Sequence, residues 1–236
     1  YAIFIRQGNP QHSTAVWGGM NLGDQFSKWR DYAVRVRGPA ADLLQIKVAG
    51  SATGVMYPPS QPVNFVLNSR KHGTEEMYQM FYAMMQDPSL VRLQIAMAYI
   101  DSYGADLLLF ALDRGAFVDL LVPRKANVYH HCNLRTIKRK LWGKPGIRIW
   151  LHPDMVHAKV LLAYDEEDMP KRSLLGSANL KKNSFGMLQE LNSMIDDTRF
   201  NANLATDLDK LFSEAEEISK IPKYNAPIAV MEEMMG

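Results

Sequence analysis

The sequence predicts an α/β fold in which a mixed, mostly parallel β-sheet is flanked by helices. The main observation is that short apolar runs rich in Val, Ile and Leu alternate with amphipathic helical segments from residue 63 onward. The second is length: 236 residues, 47% of them hydrophobic, suffice for one large core or two modest ones.

The first 50 residues begin with an apolar, strand-like run from Ala2 to Ile5, followed by a loop rich in Gly, Pro, Asn and Ser. Residues 51–62 are rich in Gly, Ser and Pro and are predicted to be a linker. A segment of about 50 residues rarely sustains its own core. We therefore expect residues 1–50 to pack on the rest of the chain or on further sequence.

From residue 63 the elements follow a βα rhythm. Strands are predicted at 63–67, 91–99, 117–122, 147–151 and 188–195, with two more on either side of the charged loop 166–172. Helices are predicted from a cap at Thr74 through Met84, at 105–114 before Gly115, at 130–142 and at 199–218. The Met-rich tail 222–236 fits no pattern, and the methionines of 77–85 indicate a core-facing helix more than a lipid-binding surface.

Charge and cysteine content limit the partners and the compartment. Lys and Arg number 27 against 25 acids, so bulk charge does not indicate nucleic acid, although the basic stretches 135–144, 171–172 and 181–182 could meet an anionic surface. Cys132 alone cannot form an internal disulfide, which fits a reducing compartment. No apolar run of about 18 residues predicts a transmembrane helix. The chain opens on Tyr1 without a signal segment, which leads us to expect a processed or truncated product.

The most informative stretch runs from residue 152 to 192. His157 and Lys159 are two apart on a predicted strand, so an imidazole and an ammonium share one face. Gly176 and Ser177 can turn the chain so that backbone donors and the Asn179 amide approach the same anion. This set favours phosphodiester chemistry without a metal.

These residues resemble the signature of the phospholipase D superfamily, which is His-x-Lys, four residues, Asp, and then Gly-Ser-x-Asn. The phrases WRDYAVRVRGPA at 29–40 and PDMVHAK at 153–159 resemble the cardiolipin-synthase-like branch. The motif's Asp position is occupied by Tyr164, and the nearest acid is Asp165, one place later. In the family that Asp is mainly a structural residue at the strand end.

The resemblance implies a fold of two copies, each contributing a His, a Lys and an Asn to one site at their interface. Gly18-Gly19-Met20-Asn21 lies where Gly176-Ser177-Ala178-Asn179 lies later. Lys159 precedes Gly176 by 17 positions, and the same step back from Gly18 reaches Tyr1, so the first His-x-Lys is expected just before the chain begins. We therefore interpret 1–50 as the remnant of a first, truncated phospholipase D-like repeat, 51–62 as a linker, 63–221 as the second repeat and 222–236 as a tail.

The resemblance also implies roles for single residues. His157 would act as general acid and then base, while the other copy's histidine forms a phosphohistidine. Lys159, Asn179, Asn21 and Ser177 would bind the phosphate, and Glu190 would orient the opposite histidine. An acid after Asn21 should hold His157, with Asp31 the first candidate and Asp24 the second. Neither a metal nor another cofactor is implied.

The sequence therefore predicts a phosphatidyltransferase that acts on a phospholipid and contacts a membrane peripherally. The missing half of its site would come from upstream sequence or from a partner chain. Two alternatives stay open. One is a catalytically inactive structural subunit, and the other is a phosphodiesterase or nuclease that binds nucleic acid through 135–144. His130-His131-Cys132 is not predicted to bind metal, because adjacent side chains diverge on a helix and no second ligand pair follows.

Overall fold

The computed structural model describes residues 1–5, 9–21, 23–51, 62–68 and 76–235. Two β-sheets are present in this part of the chain. The smaller is an antiparallel sheet of β1 (Ala2–Phe4), β2 (Thr14–Gly18) and β3 (Ala33–Arg37), followed by α1 (Pro39–Ser51). α1 was not predicted, because its positions are largely apolar without a clear helical period.

The larger sheet has eight strands in the order β11-β7-β6-β5-β8-β9-β10-β4. Its strands are β4 (Val63–Leu67), β5 (Arg92–Met97), β6 (Phe117–Pro123), β7 (Ile147–His152), β8 (Lys159–Tyr164), β9 (Pro170–Gly176), β10 (Leu191–Ile195) and β11 (Glu216–Glu217). The helices that follow α1 are α2 (Glu76–Gln86), α3 (Ser102–Asp113), α4 (His130–Thr136), α5 (Lys182–Gly186), α6 (Thr198–Ser213) and α7 (Ala226–Met235).

The α/β class and the mixed sheet flanked by helices are confirmed, but the prediction of a mostly parallel sheet is wrong. Only β5 with β6 and β6 with β7 pair in parallel, whereas β8, β9, β10, β4 and β11 pair antiparallel with their neighbours. For β8 with β9 the reason is the short turn that joins them, because neighbouring strands connected in this way run in opposite directions.

Alternating side chains of the central strand β8 fill two hydrophobic layers. Leu161 and Ala163 pack with α2 and α3 on one face, while Val160, Leu162 and Tyr164 pack with α6 and the small sheet on the other. All six residues of β8 are buried. The methionines of α2 lie in the first of these layers, with Met77, Met84 and Met85 fully buried. Lys159 is the first residue of this strand, so its ammonium lies at the end of the sheet where β8 begins.

The small sheet is fastened to the large one by Trp17. Its indole N–H donates to Ser193 Oγ at 3.0 Å, and its ring meets Phe65 edge to face with centroids 5.0 Å apart. Trp17 is 1% exposed. Residues of the first 50 therefore share a core with β4 and β10. The predicted linker 51–62 falls almost wholly on 52–61, which lie outside the described residues, as does the Thr74 cap.

Several helix boundaries differ from the predictions for local reasons. α3 begins at Ser102 rather than 105, because the Asp101 carboxylate accepts from the Gly104 N–H at 2.9 Å. α6 ends at Ser213 rather than 218, since Glu216–Glu217 pair with β7 as an edge strand. The basic helix predicted at 130–142 divides into α4 and a π-helical turn, Ile137–Leu141. The unassigned tail forms α7, which packs on α4.

Candidate active site

His157 lies between β7 and β8, where the first segment of the chain (described residues up to 51) contacts the second segment (described residues from 62 onward). The Arg30 N–H donates to the Met155 carbonyl at 2.9 Å, and the His157 N–H donates to the Arg30 carbonyl at 2.7 Å. These two backbone bonds form an isolated parallel bridge between Arg30 and Val156. They fix residue 31 beside the His157 side chain.

Asp31 holds the imidazole of His157. Asp31 Oδ2 is 2.8 Å from His157 Nδ1, and the two side chains are 8% and 10% exposed. The other carboxylate oxygen accepts from the Tyr32 N–H at 2.8 Å, which fixes the carboxylate's orientation. With its proton on Nδ1, the neutral ring presents Nε2 as the nitrogen available for proton transfer. Asp24, the second candidate for this contact, is instead exposed at the start of a short 3₁₀ turn, Asp24–Phe26.

Lys159 lies against the same ring. Its Nζ is 2.8 Å from His157 Nδ1 and 3.0 Å from Nε2, and it also donates to the His157 carbonyl. Because Nδ1 is engaged by Asp31, Nε2 is the nitrogen that can accept from the ammonium. Lys159 is 3% exposed. Burial lowers the pKa of its ammonium to about 8, against the opposing charges of Asp31 and Glu190.

The loop at Gly18 and Gly19 lies close both to Lys159 and to Gly176, which belong to the two parts of the signature. A Cβ added at Gly19 would lie 2.9 Å from Lys159 Cδ, 3.0 Å from Asp31 Oδ1 and 3.2 Å from the Gly176 carbonyl. Only a residue without a side chain permits this approach. Asn21, two positions further, is exposed, and within the described ranges no contact joins it to Lys159 or Asn179.

Ser177 and Glu190 bond to each other. Ser177 Oγ donates to Glu190 Oε2 at 2.5 Å and accepts from the Leu191 N–H at 3.0 Å. Ser184 Oγ donates to the other carboxylate oxygen at 3.2 Å. Burial raises the pKa of Glu190, and the bonds from Ser177 and Ser184 and the charge of Lys159 oppose that rise. The Ser177 hydroxyl is thus engaged in holding the acid.

Asn179 offers an unengaged amide. Its backbone N–H donates to Ser184 Oγ at 3.2 Å, whereas its side-chain Oδ1 is buried without a hydrogen-bond partner among the described residues. A buried amide oxygen without a partner costs roughly 1–3 kcal/mol. An amide in this state is available to a polar group that enters the site.

Aromatic rings form a wall beside His157. They were not among the predicted site residues. The Trp29 ring lies 4.8 Å from the imidazole and the Tyr99 ring 5.9 Å. Tyr99 donates its hydroxyl to Asn127, and burial raises its pKa to about 12. Tyr129 extends the wall, 5.4 Å from Tyr99, and the Lys181 ammonium lies 3.4 Å from its centroid. Tyr99 lies two positions after the end of β5, and nothing in the sequence distinguishes it from a buried core residue.

Tyr164 and Asp165 occupy the end of β8. The Tyr164 hydroxyl donates to Gln94 Oε1 at 2.6 Å, and the Arg92 guanidinium lies 3.6 Å from its ring centroid. Asp165 Oδ1 accepts from the N–H groups of Glu167 and Met169 at 3.1 and 3.0 Å. Asp165 therefore shapes the β8–β9 turn, and Tyr164 bridges β8 to β5.

A cavity of about 330 Å³ adjoins Ser177 on the side of the small sheet. Its lining combines residues of the first and second segments: Tyr1, Trp17, Gly18, Val48, Leu67, Asn68, Ser177, Gln189 and Leu191. Among the described residues, no group of three or more His, Cys, Asp or Glu is placed to hold a metal ion. His131 Nδ1 instead accepts from the Asn225 N–H at 3.2 Å, and burial raises the pKa of the Cys132 thiol to about 11.

Solved structures share this fold. Phosphatidylserine synthase from Haemophilus influenzae superposes with a TM-score of 0.69 at 12% identity, over 94% of this chain and 66% of that one. NucT from Helicobacter pylori superposes with a TM-score of 0.55 at 17% identity, over 66% of this chain and 98% of that one. At these identities the likeness concerns the fold alone.

Curated relatives share the sequence. Cardiolipin synthase A from Pseudomonas syringae pv. syringae is 28% identical over 223 residues, which are 86% of this chain and 46% of that protein. Cardiolipin synthase A from Pseudomonas putida is 29% identical over 226 residues, 86% of this chain and 45% of that protein. The chain thus spans about half the length of these relatives. The profile described as "Cardiolipin synthase, PLD-like domain" matches residues 85–212, and the chain therefore belongs to this family within the phospholipase D superfamily.

Proposed function

We propose that the chain supplies one half of the active site of a phosphatidyltransferase of the cardiolipin synthase kind. One observation carries this proposal: Asp31, His157 and Lys159 are in contact although the acid and the imidazole are 126 residues apart. An oriented imidazole beside an ammonium provides acid–base catalysis and charge neutralisation at one phosphate.

The proposed reaction has two steps. A histidine of the other half attacks the phosphorus of a phosphodiester, a P–N bond forms, and the P–O bond to the leaving alcohol breaks as His157 Nε2 gives that oxygen a proton. The acceptor alcohol then attacks the phosphorus, giving its proton to His157 Nε2 as the P–N bond breaks. Asp31 stabilises the imidazolium on which both steps depend.

Phosphate binding is assigned to groups of both segments. The Lys159 ammonium would neutralise the non-bridging oxygens, and the Asn179 side-chain N–H₂ would donate to them, because its Oδ1 accepts from no described residue and so does not fix the orientation of the amide. We propose Asn21 as the first segment's amide, since Gly19 brings its loop against Lys159. Ser177 is proposed to act through Glu190, the acid that would orient the second histidine.

The second histidine and lysine are proposed to come from sequence beyond this chain or from a partner chain. His-x-Lys occurs once in the 236 residues, at His157. The relatives, about twice as long, have room for a second copy. The proposed division is a first-repeat remnant at 1–50 and a second repeat at 63–221, joined through 51–62.

The proposed substrate is a phospholipid, reached by peripheral contact with a membrane in a reducing compartment. Within the described residues no helix is both long and apolar enough to cross a bilayer. The decisive experiment incubates the full-length protein with phosphatidylglycerol and competing phospholipids and identifies the products by mass spectrometry. We expect His157→Ala to lower headgroup exchange by about 10³-fold or more. The exposed His12→Ala is the matched control, and retained turnover in His157→Ala would overturn the proposal.

A structural subunit without activity is the second candidate, favoured by the single His-x-Lys. It would be supported if the full-length protein, with His157 intact, neither exchanged nor hydrolysed any phosphodiester supplied. A nuclease is disfavoured, because two cations of the basic stretch are already paired: Arg135 with Glu233, and Lys140 with Asp106 at 2.8 Å. Salt-sensitive oligonucleotide binding would reverse that judgement.

A further inference from the structure

A basic cleft lies where α7 meets α3 and α4, on residues to which the proposed function assigns no role. Its volume is about 320 Å³, and it is lined by Ser102, Arg135, Thr136, Arg139, Lys140 and Glu233. Glu233 is engaged by Ser102 Oγ at 2.6 Å and by Arg135, and Lys140 is engaged by Asp106. Arg139 makes no ion pair within the described ranges. The cleft therefore has one cation available for an entering anion.

The Thr136 hydroxyl adds a polar group to the lining. Thr136 is 2% exposed, and its Oγ1 is buried without a hydrogen bond to any described oxygen or nitrogen. Its partner is the Cys132 thiol, whose pKa the hydrogen bond with Thr136 lowers against the effect of burial. Sulfur is a weak hydrogen-bond partner, so the hydroxyl can still donate to an oxygen that enters the cleft.

An exposed apolar face of α7 lies next to the cleft. Pro227, Val230, Met231 and Met234 recur at helical spacing and are all exposed, Met231 by 60% and Met234 by 82%. The opposite face is fixed to the body: Ala229 is buried, and Glu232 accepts from the Cys132 N–H at 2.7 Å. The helix thus holds its apolar face outward.

Further cations surround this face. Lys138 lies 5.7 Å from the ring centroid of Tyr224 in the segment leading to α7, and Lys220 and Lys223 are exposed on the same segment. None of the three makes an ion pair in the part of the chain that the structure describes. Apolar side chains bordered by unpaired cations and a tyrosine match an anionic bilayer surface, where the apolar groups enter the acyl boundary and the cations meet headgroups.

We propose that α7 and the cleft beside it form a surface that binds anionic phospholipid bilayers. Arg139 and Thr136 would contact a lipid phosphate, while Met231 and Met234 enter the bilayer. This inference takes its phospholipid partner from the proposed function but uses none of the residues assigned to catalysis. A nucleic acid would use the cations but leave the exposed methionines in water, so the bilayer is the occupant that accounts for both features.

The test is co-sedimentation of the protein with phosphatidylglycerol–phosphatidylcholine vesicles and with pure phosphatidylcholine vesicles. We expect preference for the anionic vesicles, about fivefold weaker binding for Arg139→Gln, and at least tenfold weaker binding for Met231→Ser/Met234→Ser. The matched control, Met169→Ser/Lys171→Gln, changes an exposed methionine on the β8–β9 turn and an exposed lysine at the start of β9, and it should bind as the wild type. Circular dichroism melts check that each variant folds.

Several outcomes would overturn the inference. These are no vesicle binding by the wild type and binding unchanged in the α7 variants. If light scattering shows that the wild type self-associates, and the α7 variants lose that association while vesicle binding stays intact, the apolar face is an interface between copies of the chain and the inference fails. Oligonucleotide binding that requires Arg139, without vesicle binding, would do the same. Exchange on monomeric short-chain phosphatidylglycerol separates the two proposals, since the α7 variants should retain it if the active-site proposal holds.

Discussion

Asp31 Oδ2 lies 2.8 Å from His157 Nδ1, and this contact joins the first segment of the chain to the second. Two backbone hydrogen bonds between Arg30 and the segment 155–157 hold it in place. We predict that Asp31→Asn lowers kcat by about 10²- to 10⁴-fold, because the amide cannot stabilise an imidazolium or fix its tautomer. Exchange assays on the full-length protein check this. Asp24→Asn, on the exposed acid of the same segment, should stay near wild type, and equal losses in both would argue against the contact's role.

Lys159 predicts a pH dependence of activity. Its pKa of about 8 means that the ammonium, and with it the charge offered to the phosphate, is lost as pH rises through that value. We expect kcat/KM to fall above about pH 8, and Lys159→Arg to remove that limb while retaining part of the activity. A profile flat to pH 10 in the wild type would contradict the assignment.

The same group predicts a pH dependence of stability. The folded pKa of about 8 lies below the ordinary lysine value of 10.5, so between these two pH values the unfolded chain binds more protons than the folded one. Stability should therefore rise with pH in this window, by up to about 3 kcal/mol. Urea unfolding at pH 7.5 and 9.5 measures the rise. Lys159→Met should abolish it, whereas the exposed Lys171→Met should leave it unchanged.

Removing the Ser177 hydroxyl should lower stability, because this hydroxyl donates to Glu190 and accepts from the Leu191 N–H. Ser177→Ala would leave both partly buried groups without this bond, and we expect a loss of about 1–3 kcal/mol in the free energy of unfolding. Urea denaturation measures it, with Ser219→Ala on an exposed serine as the control. A change below about 0.5 kcal/mol would show that water replaces the hydroxyl.

Gly19 lies where the two segments meet, and we expect a substitution there to lower kcat. Gly19→Ala places a methyl group 2.9 Å from Lys159 Cδ and 3.0 Å from Asp31 Oδ1, so both must shift. A misplacement of about 1 Å can cost 10²-fold in rate, and we expect a loss of that order in kcat. Gly186→Ala, where an added Cβ meets nothing within 4 Å, should be neutral. Similar kinetics for the two variants would show that the glycine loop does not support the site.

The α/β class, the family and the residues of the signature are all predictable from the amino-acid sequence. Local spacing carries this information: His157 and Lys159 share a strand face because side chains alternate, and the glycine phrases at 18–19 and 176 lie at matching positions. Helix caps were also local, but those at Asp101 and Asp197 were recognisable only once the chain's hydrogen bonds were known.

Which residues meet across the chain depends on tertiary packing and cannot be derived from local sequence. The Arg30–Val156 bridge places Asp31, and not Asp24, beside His157. The aromatic wall of Trp29 and Tyr99 exists because two segments of the chain fold around one imidazole. Tertiary packing also decided the antiparallel half of the sheet and the docking of α7. Such contacts depend on packing and hydrogen bonds between residues far apart in sequence, and periodicity along one segment does not encode them.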